Sequence, residues 1–443
     1  MKRYVYIETL GCSKNQVDSE IMMGLFNEQA YYMTTAPDLA DIVVVNTCGF
    51  IESAKEESIN TILEMAQYKL TGKCEFLLVT GCLAERYANE LLKEIPEVDA
   101  FVGTTAFDEI VRIIQRLESK ETSIQQTGNI DKVFSEDLPR QLSTPRHYAF
   151  LKIAEGCDNL CTYCIIPKLR GKYRSRTFEA VISEAKSLVA QGVKELIIIA
   201  QDTTRYGMDL YGHYRLGELL EALNDIEGLK WIRLQYMYPD IVDEALIKTI
   251  ARLDKVVKYL DMPIQHASDS VLKRMARNTS RADILALVKL VRTHMPMATL
   301  RTTLIVGFPG ETDEDFNALL TFIETCRFDR LGAFTYSREE DTPAYKLDGQ
   351  VEPEVMAERL DQLMRLQQDI SEELMALKVG QVLEVVIEEP TDDAKVYIGR
   401  TQFDAPEVDG VCYVTTQTPL EIGTYVQVKI NDAMEFDVMG ETI

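Results

Sequence analysis

Histidine is scarce in this sequence, basic charge is in deficit, and no apolar run is long enough to cross a membrane. Four histidines occur in 443 residues, none near the cysteines, which disfavours the common zinc sites with paired C-x2-C units or neighbouring histidines. Lysine and arginine number 47 against 71 aspartates and glutamates, a formal net charge of −24. That balance disfavours nonspecific attraction to nucleic acid, which rests on basic surface, and favours a basic partner. The longest apolar runs are strand-sized, so no membrane span is expected. The N-terminal Met1-Lys-Arg-Tyr-Val-Tyr-Ile7 enters a strand-like pattern at once, without the apolar core of a signal peptide. The expected compartment is therefore the cytoplasm, where thiols stay reduced. Nine cysteines, an odd number, do not suit a fully paired disulfide framework. What is present, 46% hydrophobic and 27% charged residues, belongs to a soluble globular chain with room for two or three domains.

The chain is organised around Glu155-Gly-Cys-Asp-Asn-Leu-Cys-Thr-Tyr-Cys-Ile-Ile-Pro167. Cys157, Cys161 and Cys164 stand at C-x3-C-x2-C spacing after the apolar run 149–153. Iron–sulfur clusters are held by cysteine thiolates, normally four for a four-iron cluster. Three so close together can hold three corners and leave the fourth iron open, which a reactive centre needs and a structural one avoids. Zinc or a loop of buried cysteines is the blander alternative.

Residues 1–117 repeat one unit three times: an apolar run ending in a cysteine loop and followed by a helical pattern. The cysteines are Cys12, Cys48 and Cys82, spaced by 36 and 34 residues, about one βαβ unit each. Such near-continuous apolar strands imply a parallel sheet, whose strand-end loops share one edge where ligands bind. Three thiolates converging there suggest a second cluster with an open iron. Burial alone accounts for Cys74, Cys326 and Cys412.

Residues 118–146 are polar and read as a linker. From 147 to 377 a strand–helix pattern recurs about six times, with strands at 149–153, 195–200, 231–235, 257–261, 299–306 and 331–336. Helices are expected to be capped by Thr177 and Thr312. Six βα units form an open partial barrel whose chemistry lies at the C-terminal strand ends. A helix over 353–377 then leads into 378–443, where short alternating runs suggest a small antiparallel, OB-like barrel. Such barrels usually bind RNA through basic and aromatic residues. This one carries thirteen acidic and four basic residues, a net of −9, so a basic protein is the better partner. The fold class is thus multidomain α/β: an N-terminal parallel sheet domain, an open (β/α)6 partial TIM barrel and a C-terminal β-barrel.

The 155–167 loop resembles the cluster loop of radical S-adenosylmethionine (SAM) enzymes. The two cysteine triads, partial barrel and terminal module, which is similar to a TRAM domain, resemble the methylthiotransferases over essentially the whole chain. Within that family, Gly11-Cys-Ser-Lys-Asn-Gln-Val-Asp-Ser-Glu20, with Lys14 where the tRNA branch commonly has methionine, looks like the branch acting on an aspartate of small-subunit ribosomal protein uS12. The stretches 169–176 and 399–410 lean the same way. The resemblance implies two [4Fe-4S] clusters and SAM. The Cys157, Cys161 and Cys164 cluster would cleave SAM to a deoxyadenosyl radical, which takes hydrogen from the aspartate β-carbon. The Cys12, Cys48 and Cys82 cluster would supply methylated sulfur, so both must face one pocket. A reductase or flavodoxin-type electron donor is implied as well.

Further contacts implied are Tyr163 near the adenine, with Ile305 and Gly307 packed against it. Gln201 and Asp202 after the second strand, and Gln265 after the fourth, could bind SAM or substrate, or only satisfy loop backbone. Arg233 could pair with the SAM carboxylate or with a barrel acid. Lys168, Arg170, Lys172, Arg174 and Arg176 form a basic run in an acidic chain. Arg174 and Arg176 are the candidates there for binding the carboxylates of SAM or target. The alternatives are a tRNA adenosine methylthiotransferase, and an iron–sulfur electron-transfer protein without catalysis.

Overall fold

The computed structural model describes residues 2–132 and 136–443. The N-terminal sheet is all parallel, in the order β2-β1-β3-β4-β5-β6. Its strands are β1 (Tyr4–Thr9), β2 (Tyr32–Met33), β3 (Ile42–Thr47), β4 (Phe76–Gly81), β5 (Ala100–Val102) and β6 (Ile124–Gln126). Every residue of β3 is buried, because helices cover both faces. Val43, Val45, Leu77 and Val79 pack on Ile62, Met65 and Leu83, whereas Ile42, Val44 and Leu78 pack on Met22, Phe26 and Ile113. Burial on both faces is why these strands read as continuous apolar runs. Since β1, β3 and β4 are neighbours, the loops that carry Cys12, Cys48 and Cys82 leave the same edge side by side.

The central sheet runs β14-β13-β12-β11-β10-β7, all parallel and open at both ends. Its members are β7 (Tyr148–Lys152), β10 (Glu195–Ile199), β11 (Trp231–Leu234), β12 (Val256–Asp261), β13 (Thr299–Val306) and β14 (Arg330–Thr335). Between β7 and β10 lies a short antiparallel ribbon, β8 (Ala154–Glu155) with β9 (Arg174–Ser175), that closes the base of the cysteine loop. Thr177 caps the helix Phe178–Ala190 by accepting from the Ala180 amide. Thr312 and Asp315 form a reciprocal capping box on Asp313–Cys326, the arrangement that satisfies two orphan amides at once.

The polar stretch 118–146 is more than a connection. It supplies the edge strand β6, and Arg140 is buried against Glu20 of the first helix (Nε–Oε2 2.8 Å) and Glu184 of the central unit (2.7 Å). More than half of its described residues are nonetheless exposed to solvent, in keeping with its polar composition, and the buried Arg140 and Thr144 side chains are exceptions.

The helix Pro353–Ala376 leads into five strands, β15 (Val382–Pro390), β16 (Val396–Thr401), β17 (Cys412–Thr415), β18 (Tyr425–Ala433) and β19 (Val438–Thr442), closed in the order β15-β16-β17-β19-β18. The expected barrel was antiparallel throughout; β17 and β19 instead pair in parallel while the other four pairings are antiparallel. Closure of an odd number of strands requires at least one such pair.

The C-terminal barrel seats against the N-terminal strand ends of the central sheet, opposite the cysteine loops. Its stretch 399–410 makes the joint. Arg400 bonds Glu195 (NH2–Oε2 2.6 Å), Asp404 bonds Arg330, Asp409 accepts from the Tyr259 hydroxyl (2.6 Å), and Glu407 accepts from that of Tyr148 (2.9 Å). Trp231 meets Tyr425 edge-on at 4.8 Å. Glu195 is fully buried and also accepts from Arg233 (2.8 Å). Burial opposes its charge, but Arg400 and Arg233 more than offset that and hold its carboxyl below the ordinary glutamate value. A carboxyl so depressed stabilises the fold fully above the unfolded value of about 4.3, and the contribution is lost as pH falls through the folded value. Glu195→Gln should therefore cost about 3–5 kcal/mol at neutral pH by leaving the buried Arg233 without its carboxylate, while Arg400 keeps only Glu388. Urea denaturation read at pH 7 and at about pH 3.5 checks it: the penalty must shrink at the lower pH.

Candidate functional site

Each N-terminal cysteine is set by backbone geometry at a strand end. Cys12 is the N-cap residue of the helix Ser13–Glu28, and Cys82 is the first residue of Cys82–Glu94. Both therefore sit at the positive end of a helix, which favours thiolate. Gly11 before Cys12 has φ +86, and a methyl there would stand 2.8 Å from the Cys48 Cβ, so the two loops approach as closely as glycine permits. Cys48 is pinned by Ser58, which accepts from its amide (3.1 Å) and donates to its carbonyl (2.9 Å). Asn15 ties the loops together by donating to the carbonyls of Leu10 (2.9 Å) and Thr47 (3.0 Å).

The central triad hangs between β8 and the helix Ile166–Arg170. Gly156, φ +78, lets the chain pass against the Lys172 carbonyl, where any side chain would collide. Asn159 donates to Asp202 (2.9 Å) and its amide to the Cys157 sulfur (3.4 Å). Arg277 reaches the Cys161 sulfur at 3.9 Å and the Tyr238 hydroxyl lies 3.8 Å from it. Leu160, within the loop, is 80% exposed beside a surface crevice of about 740 Å³ that contains no cysteine.

All six cysteines line one cavity of about 330 Å³ between the N-terminal and central units. Its lining includes Lys14, Arg170 and Arg277 and, among the described residues, no carboxylate. Burial pushes the Cys82 and Cys157 thiols up to about 12, and those of Cys48 and Cys164 upward too, while Arg170 pulls Cys48 and Cys82 the other way. Such thiols surrender their protons to iron rather than to water. Among the described residues no three of these side chains converge as on a single ion. A four-iron cube takes each thiolate at a different iron, so sulfurs spread around a cationic, carboxylate-free wall fit that group.

Behind the wall lies a balanced quartet. Arg170 NH1 bonds Asp18 Oδ2 and Glu155 Oε2, each at 3.0 Å, and NH2 bonds Asn15. Lys152 bonds Asp18 and, at 3.0 Å, Glu155. Burial would raise the Glu155 carboxyl, but Arg170 and Lys152 hold it down to about 2.

Of the other residues singled out by sequence, Tyr163, Gln201 and Gln265 line the cavity. Gln201 donates to Glu155, which leaves its buried Oε1 without a partner. Ile305 is not in the lining but packs behind Tyr163 with Phe308 and Met356. Gly307, φ +73, faces Met356 and donates to Glu311 (2.8 Å), a turn beside the site rather than in it.

Three arginines require correction. Arg233 points to the opposite strand ends, where it bonds Glu195 and the Gln402 carbonyl (3.0 Å); it takes the barrel acid and not a ligand. Arg174 holds the carbonyls of Lys172 (2.6 Å) and Arg170 (3.1 Å). Arg176 bonds the Lys152 carbonyl (3.0 Å) and Glu184. Neither lines the cavity, and of the basic run 168–176 only Arg170 does. Asp202 is likewise occupied, by Asn159, Thr204 and Arg205.

Sequence reasoning missed Arg277, Asn15, Tyr236 and Tyr238 as lining residues. Tyr236 (φ +60) and Gln265 (φ +71) both hold left-handed backbone and both face the cavity, a strain that concentrates at functional sites. No side-chain pattern announces it. With each triad holding its own cluster, Cys48→Ala or Cys161→Ala should each lower bound iron by about half, read by iron assay and Mössbauer spectra. Loss of all iron from either variant would mean one shared site.

Three family models match the chain: Uncharacterized protein family UPF0004 over residues 4–103, Radical SAM superfamily over 151–323, and TRAM domain over 379–443. A protein of Clostridioides difficile named ribosomal protein uS12 methylthiotransferase RimO is 56% identical over 439 residues, 99% of this chain and 98% of that one. A protein of the same name from Desulforamulus reducens is 51% identical, covering 98% of both. Among solved structures, the radical SAM methyltransferase TsrM of Kitasatospora setae superposes with a TM-score of 0.57 at 15% identity, over 78% of this chain and 77% of that one, a likeness of fold. Identity at this level over the full length leaves one conclusion: the chain belongs to the RimO family of radical-SAM methylthiotransferases, enzymes that use SAM and [4Fe-4S] clusters.

Proposed function

We propose that this enzyme attaches a methylthio group to the β-carbon of an aspartate in ribosomal protein uS12. The observation that carries the reading is the meeting of two cysteine triads, from two separate sheets, on one cavity. When bound, a cluster at Cys157, Cys161 and Cys164 supplies an electron to SAM, and a cluster at Cys12, Cys48 and Cys82 supplies sulfur.

The chain's own residues position the reactants and keep them dry. Phe50, Ile166, Met237 and Tyr238 form apolar walls that exclude water from a reactive intermediate. Gln201, with its free buried carbonyl oxygen, is suited to accept from a SAM hydroxyl or amine. Arg277 has no carboxylate partner among the described residues and a buried Nε without an acceptor, so of the roles expected of Arg174 and Arg176 it takes the anchoring of the SAM carboxylate. The exposed Leu160, within the cysteine loop, offers an electron donor of reductase or flavodoxin type a surface to dock on.

A protein substrate suits the outer surface. On the C-terminal barrel, Glu389, Asp392, Asp393, Glu407, Glu421, Asp432 and Glu441 are exposed against Lys395 and Lys429, the wrong sign for a phosphate backbone and the right one for a basic ribosomal protein. Among the described residues no helix is long and apolar enough to cross a membrane, consistent with work in the cytoplasm, where ribosomes are. Reconstituted anaerobically and given SAM, reductant, sulfide, uS12 and tRNA together, the enzyme should add a methylthio mass to one aspartate of the protein. Mass spectrometry reads the result, and a gain on adenosine instead would transfer the assignment to tRNA.

A further inference from the structure

The three cations of the cavity wall are not equivalent. Arg170 is answered by Asp18 and Glu155 and is the cation acting on Cys48 and Cys82. Arg277, 8% exposed, lies against the Cys161 sulfur, with Tyr238 beneath it at 3.8 Å. Each triad thus has its own guanidinium. Lys14 is left over. It is 6% exposed, pairs with no carboxylate among the described residues, and its ammonium rests 2.9 Å from the centre of the Tyr236 ring. An aromatic face offsets only part of what a buried charge loses in leaving water.

The partner ring is held there deliberately by the backbone. Tyr236 adopts φ +60, its amide donates to Asp261 (3.0 Å) and its carbonyl accepts from Thr203 (3.0 Å). Lys14 belongs to the first helix and Tyr236 to the turn after β11, so the pair bridges the two walls of the cavity that carry the separate triads. A carbon that loses hydrogen at one centre and gains sulfur from the other must lie in that gap.

We propose that Lys14 is the residue that recognises the target: its ammonium binds the side-chain carboxylate of the substrate aspartate. The carboxylate is bonded directly to the β-carbon, so fixing the first fixes the second. A neutral side chain or base gains no ion pair here, which makes Lys14 a specificity-determining residue. This rests on the functional reading above.

The test is equilibrium binding of cluster-loaded, SAM-bound enzyme to recombinant uS12 and to uS12 with the target aspartate changed to asparagine. Wild-type enzyme should prefer the aspartate form by about tenfold to a hundredfold, the range for a hydrogen bond to a charged group. Lys14→Gln should bring that ratio near unity with bound iron unchanged, and Lys14→Arg should restore part of it. A preference that survives Lys14→Gln overturns the proposal, as does loss of a cluster from that variant, which would assign the ammonium to iron–sulfur instead. Wild-type enzyme that fails to bind uS12 at all overturns the functional reading and this proposal together.

Discussion

The buried quartet of Arg170, Glu155, Asp18 and Lys152 is the constraint on which the rest of the structure depends. Two of its members follow from the central strand β7 and the cysteine loop, one from the helix after the loop, and one from the first helix of the N-terminal unit. Balanced two against two and hydrogen-bonded throughout, it avoids the cost of an unpaired buried ion. Removing any one member would leave its partners exposed to that cost, of about 3–5 kcal/mol. It also fixes the register between the units: Asn15, one turn from Asp18, at once bonds Arg170 and the carbonyls beside Cys12 and Cys48. The network thus ties the supports of the two triads to each other across the cavity.

The two ends of the central sheet divide the labour. At the C-terminal strand ends the wall is cationic and rich in thiols; at the N-terminal ends Glu195, Arg233, Arg400, Arg330 and Asp404 are consumed in mutual pairing with the C-terminal barrel. A chain of net charge −24 thus has a cavity lined, among the described residues, by no carboxylate. Low-dielectric walls sharpen that contrast, so anionic groups such as cluster thiolates, the SAM carboxylate and an aspartate side chain are favoured inside, while the outer face favours a basic macromolecule.

Much of this was legible beforehand. The central strands lie within one residue of their expected limits, because apolar runs bounded by turns leave little choice. Thr177 and Thr312 cap as expected, since capping is a local bond over three residues. Cys74, Cys326 and Cys412 are buried in the core. The linker reading of 118–146 does not foresee β6 or the bonds of Arg140, because partners contributed by distant segments leave no local signal. The helix Ser13–Glu28 raises the same difficulty: Asn15, Asp18, Ser19 and Glu20 look like a solvated face yet are buried, since both sides of that helix are covered.

By itself, then, the sequence determined the element order, the caps and the close spacing of Cys157, Cys161 and Cys164, all properties that act over a few residues. Even the shared edge for Cys12, Cys48 and Cys82 followed, from the uniform direction of parallel strands. Only the tertiary structure decided which cation faces the chemistry. Arg170 and Arg174 are four residues apart and chemically identical, but Gly171, φ +71, reverses the chain between them and sends one inward and the other onto backbone carbonyls. Arg233 lies on a strand facing the barrel interior, and Glu195 at the base of the next strand draws it away from the cavity. The reach of a long side chain is settled by the nearest opposite charge, and that neighbour comes from elsewhere in the chain.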